Sequence, residues 1–182
     1  YETKQRTTDA ISALERYLEL KPKNADALSE LAAQQQLYTN TLGNDLTNAE
    51  INAETLAPQS LFTPSGTTAL APLFTSTSAL EDPIATAITP AAQTDVDNAR
   101  QKLLDLESQT ETTYKRLVAL NPKGASNQLS LGQAAQTTGD TAVAVKAYRT
   151  FLKLAPTDPL AAQVKAQLKA LTTPSSGSGS SG

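Results

Sequence analysis

The chain has 182 residues, 39% of them hydrophobic, a formal net charge of −3, and no Cys, His, Met or Trp. That length supports one ordinary domain or a short solenoid, whose core must draw much of its packing from small residues such as Ala. The missing residue types exclude disulfides, thiolate and imidazole metal sites, imidazole bases and Cys-His nucleophiles, and the scattered charge offers no basic surface to nucleic acid or to an anionic membrane.

Taken in order, residues Lys4 to Leu20 place Ala10, Ile11, Leu14, Tyr17 and Leu18 on one face of a predicted helix that Pro22 closes. Asn24 caps the next helix, whose stripe of Leu28, Leu31, Tyr38, Leu42, Leu46, Ala49, Ala53 and Leu56 runs until Pro58. Residues 58–89 are rich in Thr, Ser, Ala and Pro but too apolar for a plain linker, since they carry Leu61, Phe62, Leu70, Leu73, Phe74, Leu80, Ile84 and Ile88. Asp82-Pro83 is expected to open a short helix there, to about Ile88. Thr89-Pro90 then reads as the N-cap and first residue of a returning helix, with Val96, Ala99, Leu103, Leu106, Thr110, Thr113, Leu117 and Leu120 in alternating steps of three and four. At about 1.5 Å per residue each long helix spans roughly 45 to 50 Å, which predicts a projecting antiparallel arm; two broken helices in a larger bundle are the alternative. Phe62 and Phe74 at its tip read either as a cap over the end of the arm or as an exposed binding lip.

Ala125 to Pro156 reads as a helical hairpin. Leu131, Gly132 and Ala135 recur at helical spacing in its first half, and Ala144, Tyr148, Phe151 and Leu152 in its second. Gly139 ends the first helix and Asp140 caps the second. Asp158-Pro159 is expected to repeat the N-cap and first-residue pair for a last helix carrying Leu160, Val164, Leu168 and Leu171. The remaining tail, 172–182, has the Ser/Gly composition of a linker.

The segments before Pro22, Pro122 and Pro156 repeat one another, and Pro122 and Pro156 lie one period of 34 residues apart. This pattern resembles the tetratricopeptide repeat. The family's small-residue positions fall on Gly132, Ala144 and Ala10, and its following aromatic on Tyr148 and Tyr114; Gln128 replaces the usual Trp, and Thr110 occupies a small-residue position. The resemblance implies an all-α solenoid with a long helical hairpin inserted in its middle repeat. Its parts would be a partial repeat at 1–22, the extended hairpin at 23–57 and 90–122, the tip at 58–89, a complete repeat at 123–156 and a terminal helix at 157–171.

The resemblance implies a non-enzymatic scaffold that binds a protein partner and uses no cofactor, metal or catalytic residue; a carboxylate-dependent enzyme is the rival class. Members that clamp a chaperone's C-terminal carboxylate use Lys, Arg and Asn on their first-type helices. The corresponding candidates here, Asp26, Ser29, Glu30, Ser126, Ser130 and Gln133, offer no cation, so no such clamp is expected. Glu111 and Lys115 read as a solvated helix-face pair worth roughly a few tenths of a kcal/mol.

The chain begins at Tyr1, within a predicted helix and without an initiator Met, so it reads as a processed or trimmed product. Its Thr-rich, Lys-poor composition favours export to the cell surface over the cytoplasm. Some bacterial proteins of the resembled family carry a membrane anchor ahead of the repeats, and by that likeness this chain is the part outside the membrane. The two ends are also complementary. Leu160, Val164, Leu168 and Leu171 of one copy are placed to cover Ile11, Leu14 and Leu18 of the next, as in a head-to-tail filament, whereas the alternative is an ordinary solubilising cap helped by Lys165 and Lys169.

Overall fold

The computed structural model describes residues 2–56 and 83–173. Among them every regular element is a helix: α1 (Glu2–Leu20), α2 (Ala25–Leu56), α3 (Pro83–Leu120), α4 (Ala125–Thr137), α5 (Thr141–Leu154) and α6 (Ala161–Thr172). Residues 57–82, with Phe62 and Phe74, lie outside the described residues, and so does the tail from 174.

The ends of the helices follow local chemistry. Asn24 Oδ1 accepts from the Ala27 N–H at 2.9 Å, so α2 opens on a side-chain cap. Gly139 takes φ +82, a left-handed conformation that a Cβ would disfavour, and Asp140 Oδ1 accepts from the Val143 N–H at 3.1 Å. The Gly-Asp junction between α4 and α5 is therefore the one expected from sequence.

Two helix starts differ from expectation. The helix α3 is continuous from Pro83, so Pro83 stands at its first position and Pro90 lies inside it. The residues expected to form a separate short helix belong to α3. A proline there removes one backbone bond to the carbonyl four residues back, a local loss that a helix of 38 residues absorbs. The last helix, α6, begins at Ala161, two residues beyond Pro159. Asp158 does cap, but it caps a turn: its Oδ1 accepts from the Leu160 N–H at 2.8 Å and its carbonyl from the Ala161 N–H at 2.9 Å.

The chain divides into two compact units, 1–40 with 104–182, and 41–103. In the first, Ile11, Leu18, Leu28, Leu31, Ala32, Tyr114, Leu117, Leu131 and Ala147 form one buried cluster drawn from α1 to α5. Ala135, Ala144, Tyr148, Phe151 and Val164 form a second, drawn from α4 to α6. Each cluster thus joins successive helices, as a solenoid requires of neighbouring hairpins. In the second unit Leu42 and Val96 are buried, Leu46, Ala49, Ala53, Ala99 and Leu103 half-buried, and Arg100 Nη2 meets Glu50 Oε1 at 3.0 Å. From Leu28 to Ala53 and from Val96 to Leu117 the stripes read from the sequence are buried or half-buried, whereas Leu120 is exposed.

Candidate functional site

The α4–α5 hairpin closes on a glycine. A Cβ on Gly132 would stand 2.4 Å from two ring carbons of Tyr148, so the missing side chain is the space the ring occupies. Tyr148 is 0% exposed, and its hydroxyl donates to Gln136 Oε1 at 2.8 Å. The α2–α3 hairpin repeats the arrangement: Tyr114 is buried, and its hydroxyl hydrogen-bonds Gln36 and Ser130. Gln36 and Gln136 stand at the same distance from the first residue of α2 and of α4. Burial pushes both phenols upward from their ordinary pKa, and at Tyr114 the two hydrogen bonds act in the opposite direction.

These tyrosines sit behind a groove. One depression of about 320 Å³ is lined by Gln36, Thr39 and Asn40 of α2, Glu107 and Thr110 of α3, and Gln133, Ala134 and Thr137 of α4. A second, of about 330 Å³, is lined by Gln133, Gln136, Thr137, Tyr148 and Gln167. Gln133 and Thr137 belong to both, so the two run together across the faces of α2, α4 and α6. Amide and hydroxyl side chains line it alongside Ala134, and Glu107 is its one charged side chain. Partial burial raises the Glu107 carboxyl above the ordinary range.

Beside the groove, α3 is tied to the α4–α5 junction by a polar cluster. Glu111 is only 6% exposed, receives a hydrogen bond from the Thr138 hydroxyl, and pairs through Oε1 with Lys115 Nζ at 2.5 Å. The same ammonium lies 3.4 Å from Asp140 Oδ2. The expectation of a solvated Glu111–Lys115 pair is corrected here, because the neighbouring hairpin covers the carboxylate; only Lys115 keeps contact with solvent. Glu111 raises the Lys115 pKa, while the Val143 N–H, ahead of Lys115, lowers that of Asp140.

Of the groove residues expected from sequence, Gln133 lines the groove and Ser130 is half-buried beside Tyr114. Asp26, Ser29 and Ser126 are exposed outside the lining, and Glu30 accepts from Gln34 Nε2 at 2.8 Å. Gln36, Asn40, Glu107, Thr137 and Gln167 were not singled out by sequence reasoning; the repeated Gln of α2 and α4 was the available signal. The residues assigned to self-assembly lie mainly in the chain's own core. Ile11, Leu18 and Val164 are buried, Leu14, Leu168 and Leu171 pack partly against the two clusters, and Leu160 alone is substantially open, at 43% exposure. The apolar faces expected at the two ends are thus largely covered by α2, α3 and α5.

Among the described residues no three of the potential metal-ligating side chains His, Cys, Asp or Glu come together, and no helix is long and apolar enough to cross a membrane. Residues 125–158 match the family model of the tetratricopeptide repeat. That stretch comprises α4, α5 and the turn that follows, and every regular element among the described residues is a helix, as in a helical-repeat fold. Such repeats are typically non-enzymatic protein-interaction modules. No curated protein matches the chain.

Proposed function

We propose that this protein is a non-enzymatic interaction scaffold that receives an extended polypeptide segment in the groove across α2, α4 and α6. The observation that carries the reading is the continuity of the two depressions through Gln133 and Thr137, with a lining of side-chain amides and hydroxyls. An extended segment presents N–H and C=O groups that amide side chains can satisfy together, since each amide both donates and accepts. A groove of open depressions, with no aliphatic side chain larger than Ala134 in its lining, is suited to reversible binding through many modest contacts rather than one deep anchor.

The test is selection of peptides from a random displayed library by the full chain, followed by affinity measurement against Gln133→Arg/Thr137→Arg. Both positions are exposed, so the double variant should fold and lose most of its affinity for the selected peptides. Peptides that bind the blocked protein as tightly as the original would place the interaction elsewhere and refute the proposal.

A further inference from the structure

The groove's hydrogen-bonding chemistry is unequal, and the inequality selects a partner. Three of its threonines have their hydroxyl hydrogens engaged by their own helices: Thr39 Oγ1 donates to the Gln35 carbonyl at 2.9 Å, Thr110 Oγ1 to that of Leu106 at 2.8 Å, and Thr137 Oγ1 to that of Gln133 at 3.1 Å. A hydroxyl that has donated its hydrogen presents only acceptor lone pairs. Beside these three stands the carboxylate of Glu107, with no cationic side chain in the lining to neutralise it. The depression between α2, α3 and α4 is thus an acceptor-rich pocket with one negative charge, while the amides alone supply donors.

We infer that this pocket takes the cationic side chain, lysine or arginine, of a partner segment that is otherwise uncharged, with Glu107 as its counter-charge and Thr39, Thr110 and Thr137 as additional acceptors. The proposal rests on the groove being the binding surface and adds the residue it selects. An ammonium carries three donors and a guanidinium five, and neither accepts, so both match a wall of acceptors that would repel a carboxylate. The pocket, at about 320 Å³, has room for one long side chain and lies at the α2 end of the groove, from which the neighbouring depression leads on past Gln136 and Gln167. Partial burial already disfavours ionisation of Glu107, and an entering cation reverses that effect. A buried, hydrogen-bonded charge pair discriminates partners more sharply than an exposed one, because the wrong partner leaves the carboxylate desolvated and alone.

The test uses three peptide pools with random Ser, Thr, Asn, Gln and Ala around a fixed central residue, which is Lys, norleucine or Glu. Binding to the full chain is measured by fluorescence anisotropy at constant ionic strength. The Lys pool should bind about tenfold more tightly than the norleucine pool of equal chain length, and the Glu pool more weakly than both. Glu107→Gln, which keeps the shape of the side chain, should bring the Lys-to-norleucine ratio close to one. In the unaltered protein that ratio should fall as pH is lowered and Glu107 becomes protonated. A Lys preference that survives unchanged in Glu107→Gln would reflect only the net negative charge of the chain and would overturn the inference, as would equal binding of the Lys and norleucine pools. Those failures leave the groove reading intact provided Gln133→Arg/Thr137→Arg still blocks the pools; if no pool binds, or the block has no effect, both fail together.

Discussion

Gly132→Ala isolates the contact that closes the complete repeat. In a helix interior the added methyl would by itself stabilise by about 1 kcal/mol, because glycine leaves the unfolded chain more freedom to lose. Here the new Cβ meets Tyr148 Cδ1 and Cε1 at 2.4 Å, about 1 Å inside ordinary van der Waals contact. The ring cannot swing away, since it is fully buried among Ala135, Ala144, Phe151 and Val164 and its hydroxyl is tied to Gln136. Helices α4 and α5 must separate instead, at an overpacking cost of about 1–3 kcal/mol. An approach this close belongs to the upper part of that range, so the net expectation is destabilisation by about 1–2 kcal/mol, read as a fall of about 0.5–1 M in the urea midpoint with little change in slope. The sign is the decisive quantity, because propensity and packing push in opposite directions. In a Tyr148→Leu background, where the ring is gone, the same Gly132→Ala change should become neutral or stabilising. A Gly132→Ala protein as stable as the original, or more stable, would refute the claim that the ring requires a glycine beneath it.

Glu111→Ala removes the buried partner of Thr138 and Lys115 and should cost about 1–3 kcal/mol in thermal unfolding; an unchanged stability would contradict the burial of the carboxylate. Val164→Asp places a charge at a site 1% exposed and should unseat α6, costing about 3 kcal/mol or more and abolishing hydrogen-exchange protection across Ala161–Thr172; retained protection there would mean that α6 does not dock through Val164. The pH dependence has two limbs. The folded pKa of Asp140 is lowered, so its contribution is present above the ordinary carboxylate pKa and is lost as pH falls through the folded value; the folded pKa of Lys115 is raised, so its contribution is present below the ordinary lysine value and is lost as pH rises through the folded one. Asp140→Asn should therefore flatten part of the acid limb of stability against pH and, because Asp140 also helps to raise the Lys115 pKa, weaken slightly the alkaline limb that Glu111 mainly sets; an unaltered acid limb would exclude Asp140 from it.

Much of the architecture was legible in the amino-acid order because it rests on short-range chemistry. Asn24, Gly139 and Asp140 act on backbone groups within a few residues of themselves, and the stripes from Leu28 to Leu46 and from Val96 to Leu117 need only helical periodicity to be read. The glycine, alanine and tyrosine at Gly132, Ala144 and Tyr148 suffice to suggest a repeat, since their spacing encodes one close helix-to-helix contact. Prolines were less informative. Pro83, Pro90 and Pro159 each suit the first turn of a helix, and which of them starts one depends on whether the flanking backbone continues, a question that one residue's dihedral preference does not answer.

What only the tertiary structure decided is which surfaces meet. A stripe on α1 or α6 reads the same whether a neighbouring copy or the chain's own helices cover it, and the burial of Ile11, Leu18 and Val164 assigns those faces mainly to the chain itself. Glu111 and Lys115 look like any exposed pair four residues apart until Thr138, from the turn between α4 and α5, lies over the carboxylate. Glu107 shares a pocket with Thr39 and Thr137 only because α2, α3 and α4 fold side by side. Helix type and boundary follow largely from residues near one another in the chain, whereas burial, charge environment and binding chemistry arise between residues that are far apart in it.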